Sequence, residues 1–325
     1  MPRFEKQGDG LWRLTVGTPV PVETIVDTTG SMGGNVDVAL RRLPDAYALC
    51  SDILPEGCDL QIATGIFGDV VDRFVLCRPQ FEMEAGKIVE QLTLMVPERA
   101  GGDFTEDPQY GLFGAAYLSN CYINRIGLKE YHFVVTDAPA RDELDERELV
   151  RIFGDEIFEK VSENGHQINR QGLPTTAEVV QDLLKYAHAF VLQVDEELRT
   201  TEFWSEIYGV NRVVKLPDTE YLPQVQAVII GLTEGTLNLQ EVKKFLTDNG
   251  IYDKDAEKIS RSLVNIPLRA QADLPNFDKR PRKGDLFRNK TDVWPIDQED
   301  VVKLESSGIN SESEDNDSKE GLDWL

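Results

Sequence analysis

Short apolar segments alternate with amphipathic segments along most of this sequence, and that alternation limits the possible folds more than any other feature. Residues 20–26, 60–67, 131–136 and 188–194 have the length and apolar content of buried strands, and segments of helical periodicity lie between them. Strands that alternate with helices form open, mostly parallel sheets that helices cover on both faces. The sequence therefore predicts an α/β fold built on a doubly wound, mostly parallel sheet.

The periodic pattern weakens towards the carboxyl terminus and divides the chain into three parts. Residues 1–220 are predicted to hold the sheet domain, and residues 221–275 a helical carboxyl-terminal extension. Residues 276–325 contain a basic segment followed by an acidic tail rich in Ser, Asn, Asp and Glu. Such a tail cannot bury enough apolar area to offset the entropy of ordering, so we expect it to be disordered.

The charge balance excludes several classes of partner. Lys and Arg number 34 against 58 Asp and Glu, which gives a net charge of −24. A chain of this charge is repelled by nucleic-acid phosphates and by anionic membrane surfaces, so neither is expected as a partner. Residues 1–10 lack the apolar stretch of a secretion signal, and no later segment is apolar enough for a membrane helix. These features predict a cytoplasmic protein.

Polar residues collect in three loops at the predicted ends of strands. The loops are residues 27–32 (DTTGSM), 101–108 (GGDFTEDP) and 134–139 (VVTDAP). In an open α/β sheet, functional groups gather where strands end and helices begin. The candidate site consists of the oxygen-bearing side chains of these loops: Asp27, Thr29, Ser31, Thr105 and Asp137.

A set of hydroxyls and carboxylates suits a hard divalent cation. Mg²⁺ and Mn²⁺ accept oxygen ligands in near-octahedral geometry and keep some of their waters. Three neutral hydroxyls with only two carboxylates leave the ion a position that a carboxylate from outside can take. Helix capping alone would also account for Asp27 and Ser31, because short polar side chains satisfy free amides at the start of a helix.

The same residues resemble the von Willebrand factor A (vWA) domain and its metal-ion-dependent adhesion site (MIDAS), written DxSxS, then a loop Thr, then a strand-end Asp. The resemblance covers about residues 20–216 and implies the Rossmann-like vWA fold. It also implies the ligands of a Mg²⁺ or Mn²⁺ ion: the hydroxyls of Thr29, Ser31 and Thr105, with Asp27 and Asp137 binding directly or through water. Two positions depart from the family pattern. Thr29 replaces the commoner Ser, and Asp103 precedes Thr105 in the second loop, so either Asp103 or Thr105 could be the ligand there.

The resemblance also implies a function. In this family a partner protein supplies an Asp or Glu carboxylate to the ion, so the chain is expected to be a non-enzymatic, metal-dependent adaptor for protein–protein interaction. Residues 135–139 (VTDAP) are similar to the intracellular bacterial branch associated with tellurium resistance and stress. That similarity implies a role in stress response or defence, with a kinase, a phosphatase or an ATPase as partner.

The residues leave one enzymatic alternative open. The sequence DTTGS also looks like the nucleophile motif of haloacid-dehalogenase phosphotransferases, in which Asp27 would be phosphorylated. That chemistry needs a lysine and a further acidic motif late in the domain. Residues 68–72 (GDVVD) come too early in the chain for that motif, and residues 136–139 (TDAP) lack a second acid.

The last five residues, 321–325 (GLDWL), place apolar side chains after a long polar stretch. A disordered tail has no folding reason to carry a tryptophan. The tip therefore suits a short linear motif that anchors in an apolar pocket of a partner ringed by Lys or Arg.

Overall fold

The computed structural model describes residues 3–6, 12–15, 17–99, 101, 104–195 and 197–280, the first two of these ranges by their backbone alone. Several expectations concern residues outside these ranges: Asp103 as a ligand, the disordered acidic tail, and the motif at residues 321–325.

The strands of the described residues form two sheets. Strands β1 (Arg3–Lys6) and β2 (Trp12–Thr15) make an antiparallel pair. The larger sheet contains six strands: β3 (Thr18–Asp27), β4 (Cys58–Phe67), β5 (Leu76–Cys77), β6 (Glu130–Thr136), β7 (Ala187–Gln193) and β8 (Val213–Lys215). Their order across the sheet is β5-β4-β3-β6-β7-β8, and every neighbouring pair is parallel except β4 and β5. The predicted α/β class with a mostly parallel sheet is confirmed.

The described residues form eleven α-helices: α1 (Asn35–Ile53), α2 (Ala85–Thr93), α3 (Pro108–Phe113), α4 (Tyr122–Arg125), α5 (Glu146–Phe153), α6 (Ile157–Glu163), α7 (Thr176–Tyr186), α8 (Leu198–Tyr208), α9 (Leu222–Glu234), α10 (Leu239–Asp248) and α11 (Asp253–Ser262). The helices pack on both faces of the sheet, and one apolar cluster lies on each face. Helices α1, α9, α10 and α11 contribute to the first cluster, and α3, α5, α7 and α8 to the second. Burial of both faces explains why the central strands read as nearly continuous apolar runs.

The strand order creates a crevice at one edge of the sheet. From β3 the chain adds β4 on one side and later β6 on the other, so the direction of winding reverses between β3 and β6. In open α/β sheets this reversal opens a crevice beyond the carboxyl ends of the two strands. Asp27 is the last residue of β3, and Asp137 directly follows β6.

Helix α9 belongs to the predicted carboxyl-terminal extension, and all 13 of its residues are buried. It packs against α1, and a Cβ atom on Gly231 would lie 2.7 Å from Ile53 Cγ1, so only glycine permits this approach. The Gln226 side chain donates a hydrogen bond of 2.7 Å to the hydroxyl of Thr24 in β3. A helix buried on every side is a core element rather than a cover for the surface.

Two of the ion pairs among the described residues lie on opposite faces of the sheet. On one face of the sheet, Arg78 donates two hydrogen bonds to the carboxylate of Glu23. On the other face, Arg280 donates two to Glu234, at 3.0 and 3.2 Å. The exposed fractions of the Glu23 and Glu234 side chains are only 3% and 0%. Each carboxylate therefore depends on its arginine for compensation.

His132, on β6, is buried beside Glu23, and burial lowers its pKa from 6.5 to about 4. Because the unfolded chain then binds more protons below pH 6.5, the contribution of neutral His132 to stability is present above that pH and is lost as the pH falls towards 4. Between pH 7 and pH 5 we expect the wild type to lose about 2 kcal/mol of unfolding free energy relative to His132→Gln. Urea unfolding at both values measures this difference. The half-buried His166, replaced by Gln, is the control, and equal losses in wild type and His132→Gln would contradict the prediction.

No helix in the described part of the chain is long and apolar enough to cross a bilayer.

Candidate functional site

Asp27 is the central carboxylate of the crevice and is fully buried. Its Oδ1 accepts hydrogen bonds from the backbone N–H and the hydroxyl of Thr29, at 2.9 and 2.7 Å. Its Oδ2 accepts a bond of 2.7 Å from the hydroxyl of Thr136, the last residue of β6. The three bonds fix the carboxylate between the ends of β3 and β6.

A chain of hydroxyls continues from Asp27 towards the surface. The Thr29 hydroxyl lies 3.2 Å from that of Ser31, and the Ser31 hydroxyl donates a bond of 2.9 Å to Asp137 Oδ1. Ser31 is exposed and Asp137 is half-buried. The cluster of Asp27, Thr29, Ser31 and Asp137, which we call the strand-end cluster, therefore opens to solvent at its outer end.

The second loop lies next to this cluster, and its successive side chains point in opposite directions. Thr105 and Asp107 face Arg141, which donates 3.0 Å and 3.1 Å hydrogen bonds to them. Arg141 also donates a bond of 2.7 Å to the buried Asp69. Since successive side chains of an extended segment point in opposite directions, Glu106 points away from Arg141.

Glu106 lies against the strand-end cluster. Its backbone N–H donates to the carbonyl of Pro139 at 3.0 Å, and its own carbonyl accepts from the N–H of Arg141 at 3.1 Å, which holds it beside the loop that follows β6. A Cβ atom on Gly101 would lie 3.5 Å from Thr29 Cβ and 3.7 and 3.8 Å from the two carboxylate oxygens of Glu106. The Gly101 backbone thus packs over both side chains.

The carboxyl groups in this crevice are difficult to ionise. Burial raises the pKa of Asp27 to about 6, although hydrogen bonds from Thr136 and Thr29 oppose the rise. Burial and the charge of Asp27 raise the pKa of Glu106 to about 8, and burial also raises the pKa of Asp137. Burial therefore favours the neutral form of each group, and a cation beside them would favour the charged form instead.

The second loop and helix α8 carry exposed apolar side chains and a cation. Phe104 precedes the second loop's polar residues with 43% of its surface exposed, and the guanidinium of Arg199 lies 4.7 Å from its ring centre. Leu198, at the start of α8, is 72% exposed. Thr200, also in α8, donates a hydrogen bond of 3.1 Å to the carbonyl of Asp137, which joins α8 to the cluster.

The structure brings four of the five predicted residues together: Asp27, Thr29, Ser31 and Asp137. Thr105 lies in the same crevice, but its hydroxyl faces Arg141. Two residues of this region, Thr136 and Glu106, were not among those predicted from the sequence. The alternation of side chains within residues 105–107 was the signal that could have separated Glu106 from its neighbours.

In the ranges that the structure describes, no three side chains of the Asp, Glu, His and Cys types are grouped so that they could hold a metal ion. The predicted Mg²⁺ or Mn²⁺ site therefore has no support from a group of that kind and stays a prediction. The strand-end cluster contains two carboxylates, and its remaining oxygens are hydroxyls.

No family model matches the sequence, and no curated protein matches it. Solved structures that match include two of the pilus adhesin SpaC from Lactobacillus rhamnosus GG, at 12% and 13% identity and a TM-score of 0.46, over 66% of this chain and 30% of SpaC. Another contains three N-terminal domains of the type V pili tip protein Mfa5 from Porphyromonas gingivalis, at 18% identity and a TM-score of 0.27, over 40% of this chain and 23% of that one. The chain thus spans less than a third of each of these structures.

These comparisons contradict the identification of the chain as a vWA domain protein of the tellurium-resistance type. No family model supports that identification, and the solved structures named above are those of pilus proteins. The MIDAS name and the roles in bacterial stress response and defence were derived from the same resemblance, and they are corrected with it.

The hydrogen bonds and the burial of Asp27 can be compared with what the phosphotransferase alternative requires. A nucleophilic carboxylate needs an oxygen that can reach a phosphoryl group. Both oxygens of Asp27 accept hydrogen bonds, and its side chain has no exposed surface. This arrangement does not favour Asp27 as a nucleophile.

Proposed function

We propose that the strand-end cluster binds a divalent cation, Mg²⁺ or Mn²⁺, and that the chain is a non-enzymatic module that binds a protein partner through this ion. The observation that carries the proposal is the continuous chain of oxygens from Thr136 through Asp27, Thr29 and Ser31 to Asp137. This chain of oxygens lies at the carboxyl ends of β3 and β6, where the strand order reverses and where α/β proteins bind their ligands.

The residues present fit such an ion. A hydroxyl that donates its proton to a carboxylate keeps its oxygen lone pairs for another partner. Thr29 donates to Asp27 and Ser31 donates to Asp137, so both hydroxyl oxygens can accept a cation. The ion would supply positive charge at the mouth of the crevice, and Asp27 would orient Thr29 from behind.

The surroundings of the cluster fit a protein partner. Ser31 is exposed, as are Phe104 in the second loop and Leu198 at the start of α8, the helix that Thr200 joins to Asp137. Apolar and aromatic side chains around a charged centre are typical of interface cores. A partner carboxylate would reach the ion while neighbouring apolar groups contact Phe104 and Leu198.

Asp27→Asn is expected to abolish Mn²⁺ binding, measured by calorimetry on the full chain. The substitution keeps the shape of the side chain but removes the charge that orients the Thr29 hydroxyl. Asp142→Asn is the matched control, because Asp142 is an exposed acid on the loop that follows β6 and lies outside the cluster. A wild type without Mn²⁺ binding, or an Asp27→Asn variant that binds as tightly as the wild type, would refute the site.

Protein binding needs its own test. Affinity capture from a lysate with the wild type as bait should recover partners in Mg²⁺ and lose them in chelator. Asp27→Asn should lose the same partners in Mg²⁺, whereas Asp142→Asn should keep them. Capture that is unchanged by chelator would contradict a cation-dependent interaction.

We further propose that this interaction takes place in the cytoplasm. A kinase, a phosphatase or an ATPase as partner likewise stays a prediction.

A further inference from the structure

We infer that Glu106 is the second-loop ligand of the cation, in place of Thr105 or Asp103. This inference rests on the proposed function, since it names a ligand for the same ion. It assigns to the site a carboxylate that the spacing of the sequence motif did not indicate.

The first support is the direction of the side chains in the second loop. Arg141 donates hydrogen bonds to Thr105 and Asp107 on one side of the segment and also pairs with Asp69. Thr105 would have to leave Arg141 in order to face Thr29. Glu106 already lies on the opposite side, where the Gly101 backbone covers it together with Thr29.

The second support is an unsatisfied oxygen. Glu106 is only 3% exposed, and its Oε2 has no hydrogen-bond partner among the described residues. A buried carboxylate oxygen without a partner costs free energy unless something compensates its charge. A cation between Glu106, Thr29 and Asp137 supplies that compensation, and no such need exists for Thr105.

The third support is the rigidity of the segment. Glu106 is fixed by two backbone hydrogen bonds to residues that follow β6, and Asp137 belongs to the same turn. Glu106 and Asp137 therefore keep a constant relation to each other. A carboxylate in place of a neutral hydroxyl adds negative charge next to the ion, so the isolated chain should retain its cation without a partner.

The test compares Mn²⁺ affinity in four full-length proteins by calorimetry, with electron paramagnetic resonance of the bound ion as a second readout. We expect Glu106→Gln to weaken binding at least tenfold and to change the spectrum of the remaining bound Mn²⁺. Thr105→Val should stay within about twofold of the wild type, a difference of only about 0.4 kcal/mol. Asp103→Asn should do the same.

The outcomes separate this inference from the proposed function. If the wild type binds Mn²⁺ and Glu106→Gln binds it equally well, the inference is wrong and the cation site stands. A tenfold loss in Thr105→Val or Asp103→Asn, with Glu106→Gln unaffected, assigns the ligand to that residue instead. If the wild type does not bind, the proposed function fails and this inference fails with it.

Folding of the variant is controlled separately. Thermal unfolding in chelator should give Glu106→Gln a midpoint no lower than that of the wild type, because glutamine keeps the shape of the side chain and cannot carry a buried charge. If Glu106→Gln does not fold, Glu106→Asp replaces it. The shortened carboxylate should also lose Mn²⁺ affinity, and unchanged affinity in that variant would overturn the inference.

Discussion

Replacing Arg280 with methionine should destabilise the protein by about 3–5 kcal/mol, the cost of leaving a buried carboxylate without its partner. The guanidinium holds both oxygens of Glu234 and lies 4.6 Å from the ring centre of Phe277. Methionine fills part of the space but leaves the carboxylate uncompensated. Urea unfolding of the full chain measures the loss.

A second substitution checks the cause of this effect. Adding Glu234→Gln to Arg280→Met removes the stranded charge and keeps an acceptor for the Tyr131 hydroxyl, which donates a bond of 2.8 Å to Glu234. The double variant should therefore recover a large part of the stability lost in the single variant. If the single variant loses less than about 1 kcal/mol, a value typical of exposed pairs, the pair does not hold the fold in the way described.

Arg78→Met should cost a similar amount, about 3–5 kcal/mol, on the opposite face of the sheet. Burial by itself would raise the pKa of Glu23, but the charge and hydrogen bonds of Arg78 outweigh that effect and hold the pKa below its usual value. Without Arg78, the carboxylate must either stay charged in the core or take up a proton. Chemical unfolding at pH 7 gives the magnitude.

The control for Arg78 is an arginine in an exposed pair. Arg41 pairs with Glu220, and their side chains are 63% and 42% exposed. Arg41→Met should change the unfolding free energy by less than about 1 kcal/mol, because solvent screens such pairs. Equal losses in Arg41→Met and Arg78→Met would show that burial does not decide the cost.

The strands of the sheet could be predicted from the sequence. Segments such as residues 131–136 are buried on both faces and therefore appear in the sequence as short, mostly apolar runs. Helix ends were harder to predict. Helical periodicity across residues 143–161 predicts a single helix, whereas the structure has α5 and α6 separated at Gly154, where φ is +89°. Periodicity records which face is buried, and it continues across a break when both pieces pack on the same core.

The candidate site was predictable to the extent that strand ends determine it. Asp27 and Asp137 follow adjacent parallel strands, and parallel strands bring their carboxyl ends to the same edge of a sheet. Glu106 was not predictable in this way. Alternation of side chains could separate Glu106 from Thr105 and Asp107, but the contact of this loop with Pro139 and Arg141 is a tertiary pairing that the sequence pattern does not show.

The burial of α9 has a consequence for how the chain is synthesised. Gln226 on this helix and Thr24 in β3 are hydrogen-bonded although 202 residues separate them. A nascent chain therefore carries β3, β4 and α1 with one apolar face uncovered until α9 has left the ribosome. Contacts this distant in sequence slow folding and prolong the exposure of apolar surface. A ribosome stalled before residue 234 would therefore hold a fragment with exposed apolar surface, and we expect that fragment to be prone to aggregation.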